Sequence, residues 1–480
     1  MESMLKSLTA LRKETKLRFG IKHQKKTTTT MRKTEINKMK NNVWVVLFAL
    51  LFTLTGFSQN KQWSLEACVS YALENNISIK QAQNNILSNE QDLISTKGNF
   101  LPAVSANMGH RLTLGNAEIF QGQFVDRTAN STTVGLSVNQ TVFNGFRNTY
   151  LFKQAQLNKE ANELELNRIK DNIALSVANF YLNVLFNKEN LETSKMQLEF
   201  SKKQLDQVKE LVEAGVQPQA NIYDAEATLA SDEQSLTIAE NNYRLSLLSL
   251  SQVLQLPFEG FQVEFIDIDD PAVEIMYSDV KFVLNYALEN RNEIKLAKKN
   301  IEGAELSTEI SKSGFYPTVS AGYSFGSNVF FTNLSDMEAS FLDQLDAQKS
   351  HGFSLNVNIP IFSRLQNKTS VAKSKINEER NKLSLDQAKL DIESNVQQAF
   401  TDAQGALKSY QASKKSLAAQ KLAFQNSQER YNIGAMNAFD LEQTRIRLIN
   451  AKSASINAKY DFIFKTKVLD FYIGKPITLD

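Results

Sequence analysis

The sequence predicts a mainly α-helical chain that also carries membrane-crossing β-strands, with one helix–helix–strand–strand–long helix–helix unit used twice. Three observations predict it. Phe146–Ala214 and Arg364–Ile433 are two stretches of about 70 residues without proline, interrupted by a single glycine (Gly405) and closed by Gly215 and Gly434. At ~1.5 Å per residue a helix of that length reaches about 100 Å, where ordinary globular helices stop near 20 residues. The landmarks around the two stretches recur in the same order about 215 residues apart. Ahead of each stretch lies a pair of runs that alternate apolar and polar residues, the period of a strand with two unlike faces.

Bulk properties narrow the function. The net charge of +2 hides an asymmetry, because residues 1–38 carry 11 Lys/Arg against 3 acids and Lys40 adds one more, leaving the remainder at −7. An acidic body argues against a nucleic-acid partner, whose phosphates need a basic face. One cysteine, Cys68, excludes an intrachain disulfide and a cysteine-rich metal site, and reads as a small buried residue on a helix. There is no Walker A loop, no GxSxG elbow (Gly322-Tyr323-Ser324-Phe325-Gly326 has the letters but lies inside a run of strand alternation) and no HExxH, and the two histidines beyond the leader, His110 and His351, sit on predicted strands without local carboxylate or cysteine partners. The chain reads as a non-enzyme with no cofactor and no metal.

Taken in order, residues 1–38 read as an over-long gene start before Met39, or else as a basic leader. Residues 39–58 follow as a signal peptide: Lys40, an apolar run Val43–Leu54, and small residues Gly56 and Ser58. That run is shorter than the ~20 residues of a comfortable membrane span. Trp63–Asn75 has helical spacing at Leu65, Cys68, Val69, Ala72 and Leu73, with Ser64 and Ala67 as half of a cap signal. A second helix, about Ser78–Asn99, leads to Pro102. Strands are expected at about 102–114 and 133–143, separated by a Gly/Asn/Gln/Asp-rich loop from about Gly115 to Ser131. The long rod follows, then Pro218 and a helix of about 38 residues stopped by Pro257.

The second half repeats this plan. Tyr71-Ala72-Leu73-Glu74-Asn75 recurs as Tyr286-Ala287-Leu288-Glu289-Asn290, and Pro102 as Pro317. Phe143 recurs as Phe362, Gly215 as Gly434 and Pro257 as Pro476, the shift growing only inside the loop. Repeat one is thus 60–257, a linker covers 258–278, and repeat two is 279–480, with strands at about 317–329 and 352–362. In each half the two shorter helices, ~22 and ~38 residues, together approach the length of the rod, as a pair stacked end to end beside it.

The strands set the decisive constraint. Val319, Ala321, Tyr323 and Phe325 alternate with Ser320, Gly322 and Ser324; Phe353, Leu355, Val357, Ile359 and Ile361 alternate with Ser354, Asn356 and Asn358. Their length matches the ~9–11 residues of a tilted membrane strand, and the polar face suits a water-filled lumen. A soluble sheet packed on helices is the competing reading. Four strands do not close a pore, and open edges are not tolerated in hydrocarbon, so several chains must share one barrel. Two chains supply eight strands and three supply twelve; alternation does not choose between them.

Signal peptide, duplication, paired strands and rods together resemble the TolC-like outer-membrane efflux family over nearly all of 60–480. The most specific matches are Phe100-Leu101-Pro102 and Phe315-Tyr316-Pro317 entering strands, Val142-Phe143-Asn144-Gly145 and Ile361-Phe362 leaving them, and the tips Ala214-Gly215-Val216 and Tyr431-Asn432-Ile433-Gly434. The resemblance implies a homotrimer, with a 12-stranded barrel in the outer membrane of a Gram-negative bacterium continued by a ~100 Å periplasmic α-helical barrel. It implies an exit duct for tripartite efflux or type I secretion. Its partners are outer-membrane lipid, a periplasmic adaptor near Gly215 and Gly434 and, through the adaptor, an inner-membrane RND or ABC-type transporter.

The resemblance also implies a periplasmic aperture gated near the hairpin tips. By distance from the tip glycines, Tyr431 matches a gating tyrosine and Asp440 an aspartate ring. Met436 stands where a gating arginine occurs, Asn221 where its aspartate partner occurs, and Gln443 where a second aspartate ring occurs. The family's salt bridge across the mouth is therefore missing, and other residues are expected to hold it. Asp440 also reads as a helix N-cap. Two rival classes remain at this stage: a secreted coiled-coil structural protein, which should sustain heptads that Ile169, Ile173, Val177, Phe180 and Val184 do not keep, and a periplasmic adaptor, which should have one hairpin rather than a duplicated pattern.

Overall fold

The computed structural model describes residues 62–265, 279–335 and 339–477; the expected leader, the signal peptide and most of the linker lie outside them. In the first repeat the elements are β1 (Gln62–Trp63), α1 (Leu65–Asn75), α2 (Ile77–Gly98), β2 (Ala103–Phe120), β3 (Gln123–Asn144), α3 (Arg147–Glu213) and α4 (Ala220–Leu254). A short strand β4 (Gln262–Val263) follows. The second repeat holds α5 (Val280–Asn290), α6 (Asn292–Lys312), β5 (Thr318–Thr332), α7 (Phe341–Ala347), β6 (Ser350–Asn358), α8 (Gln366–Asn432) and α9 (Ala438–Tyr472). The duplication and both rods stand as expected, each rod 67 residues long. Each rod packs against both short helices of its own repeat. Those that follow the rods are 35 residues, slightly shorter than the sequence suggested.

The local chemistry explains the boundaries. Ser64 does cap α1, its hydroxyl accepting from the Ala67 N–H, and Asn76 ends α1 while its side chain caps α2. Both strand-to-rod corners use two consecutive left-handed residues, Gly145-Phe146 in one repeat and Arg364-Leu365 in the other. The glycine is required only in the first: a Cβ on Gly145 would come within 2.8 Å of the Ser313 carbonyl of the second repeat. The corner therefore returns in backbone geometry even where its residues differ.

All four long strands form one antiparallel sheet in the order β2-β3-β5-β6, so β2 and β6 are both open edges. The first hairpin corrects the expected loop at 115–131. Pairing runs without a break from Ala103↔Asn139 to Ala117↔Val125, and the turn sits at Gly122 with φ 79°. Alternation fades there because, away from an apolar surround, cross-strand pairing alone sustains a strand; Ser131, for instance, bonds Asn328 of β5. In the second hairpin β6 begins at Ser350 and stops at Asn358, short of the expected 362, because Pro360 has no N–H to extend the ladder. The unpredicted helix α7 covers the length of β5 that β6 leaves bare. Gln344 accepts from the Phe330 N–H, and the Ser327 hydroxyl donates to the Leu345 carbonyl.

Residues on opposite sides of the pleat differ sharply. Val104, Met108, Leu112, Phe353 (84% exposed) and Leu355 lie bare on one face, and none of the described residues covers them. Among the described residues no helix is long and apolar enough to cross a membrane. The main core lies where the repeats meet, around Cys68, Val177, Tyr181, Leu185, Leu250, Leu254 and Tyr460. There β1 pairs in parallel with β4, and the Tyr181 hydroxyl donates to the Glu264 carbonyl, pinning the linker's start to the rod. Burial drives the Tyr181 pKa well above its usual value.

Candidate aperture at the hairpin tips

The two rods end in the same way. After α3, the Gly215 N–H donates to the Val212 carbonyl and Val216 N–H to Leu211; after α8, Gly434 donates to Tyr431 and Ala435 to Arg430. With φ of 72° and 78° at the two glycines, these are Schellman turns that only a left-handed residue closes cheaply. The tips present bare apolar side chains, Val216 and Tyr223 on one and Ile433 and Phe439 on the other.

The expected aperture residues share this end of the chain but form no link. The Tyr431 ring is buried, and its hydroxyl finds no hydrogen-bond partner. Asn221 turns to its own helix start and donates to Gln217. Met436 is half-buried, and Gln443 and Asp440 are exposed. Asp440 is not the N-cap. Asn437 holds that position and accepts from the Asp440 N–H at 2.8 Å, while the Asp440 carboxylate accepts from Asn437 Nδ2 at 3.0 Å. Helix α9 simply begins earlier than the sequence suggested, and Asp440 completes a reciprocal cap one turn in.

The strongest polar joint lies further up and was missed. Arg445 of α9 donates to Asp232 of α4 at 2.8 Å and to both carboxylate oxygens of Glu442 at 2.7 and 2.8 Å. The Arg445 and Asp232 side chains are 7% and 8% exposed. Burial works against the arginine's charge, but the bonds to Glu442 and Asp232 outweigh it and raise its pKa. The guanidinium also faces the Phe200 ring of α3. Glu442 and Arg445 carry a readable signal, an i,i+3 acid–base pair; nothing in the sequence points from Arg445 to Asp232, because the two lie 213 positions apart in different repeats. The pair ties the second repeat's short helix to the first repeat's.

His110 and His351 serve the sheet, bonding the Thr132 hydroxyl and the Tyr323 hydroxyl. Among the described residues no group of acids, histidines and cysteine is arranged to hold a metal.

The sequence profile of outer membrane efflux proteins matches residues 68–254 and 283–475, one match per repeat. No curated protein matches the chain. Among solved structures, the outer membrane protein VceC from Vibrio cholerae superposes with a TM-score of 0.71 at 16% identity, over 86% of this chain and 97% of that one. The CmeC outer membrane channel of Campylobacter jejuni gives 0.67 at 17%, over 95% and 90%. The open state of the MtrE outer membrane channel of Neisseria gonorrhoeae gives 0.67 at 20%, over 87% and 90%. Such identities speak to the fold.

Proposed function

The chain belongs to the outer membrane efflux protein family, and on that premise we propose that three copies form one exit duct. A shared 12-stranded barrel would lie in the outer membrane of a Gram-negative bacterium, with the helical wall in the periplasm. The observation that carries this reading is that sheet and helices are open at matching ends. The sheet runs β2-β3-β5-β6 and the wall runs α2-α3-α6-α8. On the outer helices, Leu87 and Ile94 of α2, and Ile376, Leu383 and Leu390 of α8, are bare at seven-residue intervals, the spacing of knobs that seek holes on another helix. The α8 stripe of one copy against the α2 stripe of the next, with β6 beside the neighbour's β2, would remove every open edge at once.

Function follows from that assembly. Cargo would pass through the polar-faced barrel, and the bare apolar tips around Gly215 and Gly434 would seat a periplasmic adaptor and, through it, an inner-membrane RND or ABC-type transporter. Efflux and type I secretion both use such a duct; the transporter that co-purifies identifies which. Native mass spectrometry of the detergent-extracted protein is expected to give three times the chain mass. A monomer that stays in solution without detergent would falsify the duct.

At the aperture we propose that Tyr431, Met436, Asn221 and Gln443 shape the opening while the Arg445–Asp232–Glu442 joint stands in for the missing tip salt bridge. The unpartnered Tyr431 hydroxyl supports a contact completed only in the assembly, since a buried donor without a partner is costly. Three exposed Asp440 carboxylates around a narrow opening would favour cations. Asp440→Asn is expected to lower cation selectivity in planar-bilayer recordings, and unchanged reversal potentials remove Asp440 from this role.

A further inference from the structure

Between α3, α8 and α9 lies an apolar pocket of about 170 Å³ that the duct reading leaves unused. Met196 and Phe200 come from α3, Phe424 from α8, and Leu448 and Ile449 from α9. Phe200 and Phe424 meet edge to face at 5.6 Å between ring centres, and Met196 remains mostly bare. Arg445 also borders the pocket, but its charge is already spent on Asp232 and Glu442.

Lys452, the pocket's other cation, is different. It is half-buried and, among the described residues, forms no ion pair. Burial lowers its pKa, and Lys421 nearby lowers it further against the pull of Glu189. Lys452 is thus a half-buried ammonium on the wall of an apolar pocket, with no carboxylate among the residues that line it. An apolar cavity of ~150 Å³ takes a single benzene-sized ring, so this one suits a short chain or one ring and excludes sterols and long acyl tails.

We propose that the pocket binds a small amphipathic carboxylate, with its chain or ring between Phe200 and Phe424 and its carboxylate on Lys452. Walls from both repeats mean that an occupant ties α3 to α8 and α9 and favours this arrangement of the helices over any that separates them. Binding is a property of the folded wall and does not depend on conduction, so it stands or falls apart from the duct.

The test uses the purified full-length protein in lipid nanodiscs and a diazirine-bearing octanoate, with labelled peptides mapped by mass spectrometry. Labelling is expected within 196–200 and 448–452, displaced by octanoate and not by octan-1-ol. Lys452→Met should weaken the labelling affinity roughly tenfold, the loss of one charge-assisted contact, while the circular dichroism and oligomeric mass stay as in the parent. Lys209→Met, an exposed control on α3, should change nothing. Label confined to the membrane belt, equal displacement by octan-1-ol, or full affinity in the Lys452 variant overturns the proposal.

Discussion

Arg445→Met is expected to give a leaky, less stable duct, and Arg445→Met with Asp232→Leu to be tight again. The single change strands the Asp232 carboxylate in a site 8% exposed, with Glu442 beside it. Removing one partner of a buried ion pair costs about 3–5 kcal/mol, whereas exchanging both for apolar residues of similar size is close to neutral. The carboxylates gain hydration only if α9 moves away from α4, and α9 with α8 would line the aperture. Planar-bilayer recordings should show a larger mean conductance for the single variant, with parent-like closure in the double variant. Equal conductance in all three proteins would remove the joint from gating and leave it a structural contact.

Arg291→Ala should be the most damaging single change in the wall away from the tips. Arg291 turns the corner from α5 to α6, and its side chain is 5% exposed. It pairs with both carboxylate oxygens of Glu293 at 2.9 and 3.1 Å, donates to the Phe471 carbonyl at 3.3 Å, and stacks 4.0 Å from the Phe471 ring centre. Asp171 of α3 lies 3.5 Å from its other end. One side chain thereby joins the second repeat's first corner, the first repeat's rod and the end of α9. Its loss leaves the Phe471 carbonyl and two partly exposed carboxylates unpaired and should cost about 1–3 kcal/mol, lowering the thermal midpoint by several degrees. Burial already raises the Asp171 pKa, against the pull of Arg291 and Asn292. Without Arg291 it rises further, so the penalty exists above that pKa and shrinks as falling pH protonates the carboxyl. The midpoint difference from the parent should be smaller at pH 5 than at pH 8; a pH-independent difference, or none, would refute this account.

The rods, the repeat and the strand positions near 104–114 and 319–325 were legible because each is written as a period along the chain, 3.6 or 2, and periods do not depend on what the element touches. The outer part of the first hairpin was not, because between Gly115 and Ser131 the large apolar residues come as neighbours, Ile119-Phe120 and Phe124-Val125, so the period of 2 is lost among turn-forming residues. Helix α7 was not, because its role is to cover the length of β5 beyond Gly326, an edge that exists only because β6 begins no earlier than Ser350. For the proposed aperture, distance from Gly215 and Gly434 singled out Tyr431, Asn221, Met436, Asp440 and Gln443 along the chain, but the exact start of α9, and with it the cap position, depended on Asn437.

Sequence by itself determined the architecture: a duplicated unit with two-faced strands that cannot close alone, since hydrophobic period and glycine punctuation act locally. Tertiary structure decided which residues join the repeats. Arg445 met Asp232 across 213 positions of sequence, and Phe200, Phe424 and Lys452 came to share one pocket. Such contacts depend on the phase at which separate helices face one another, and no single stretch of chain encodes that phase.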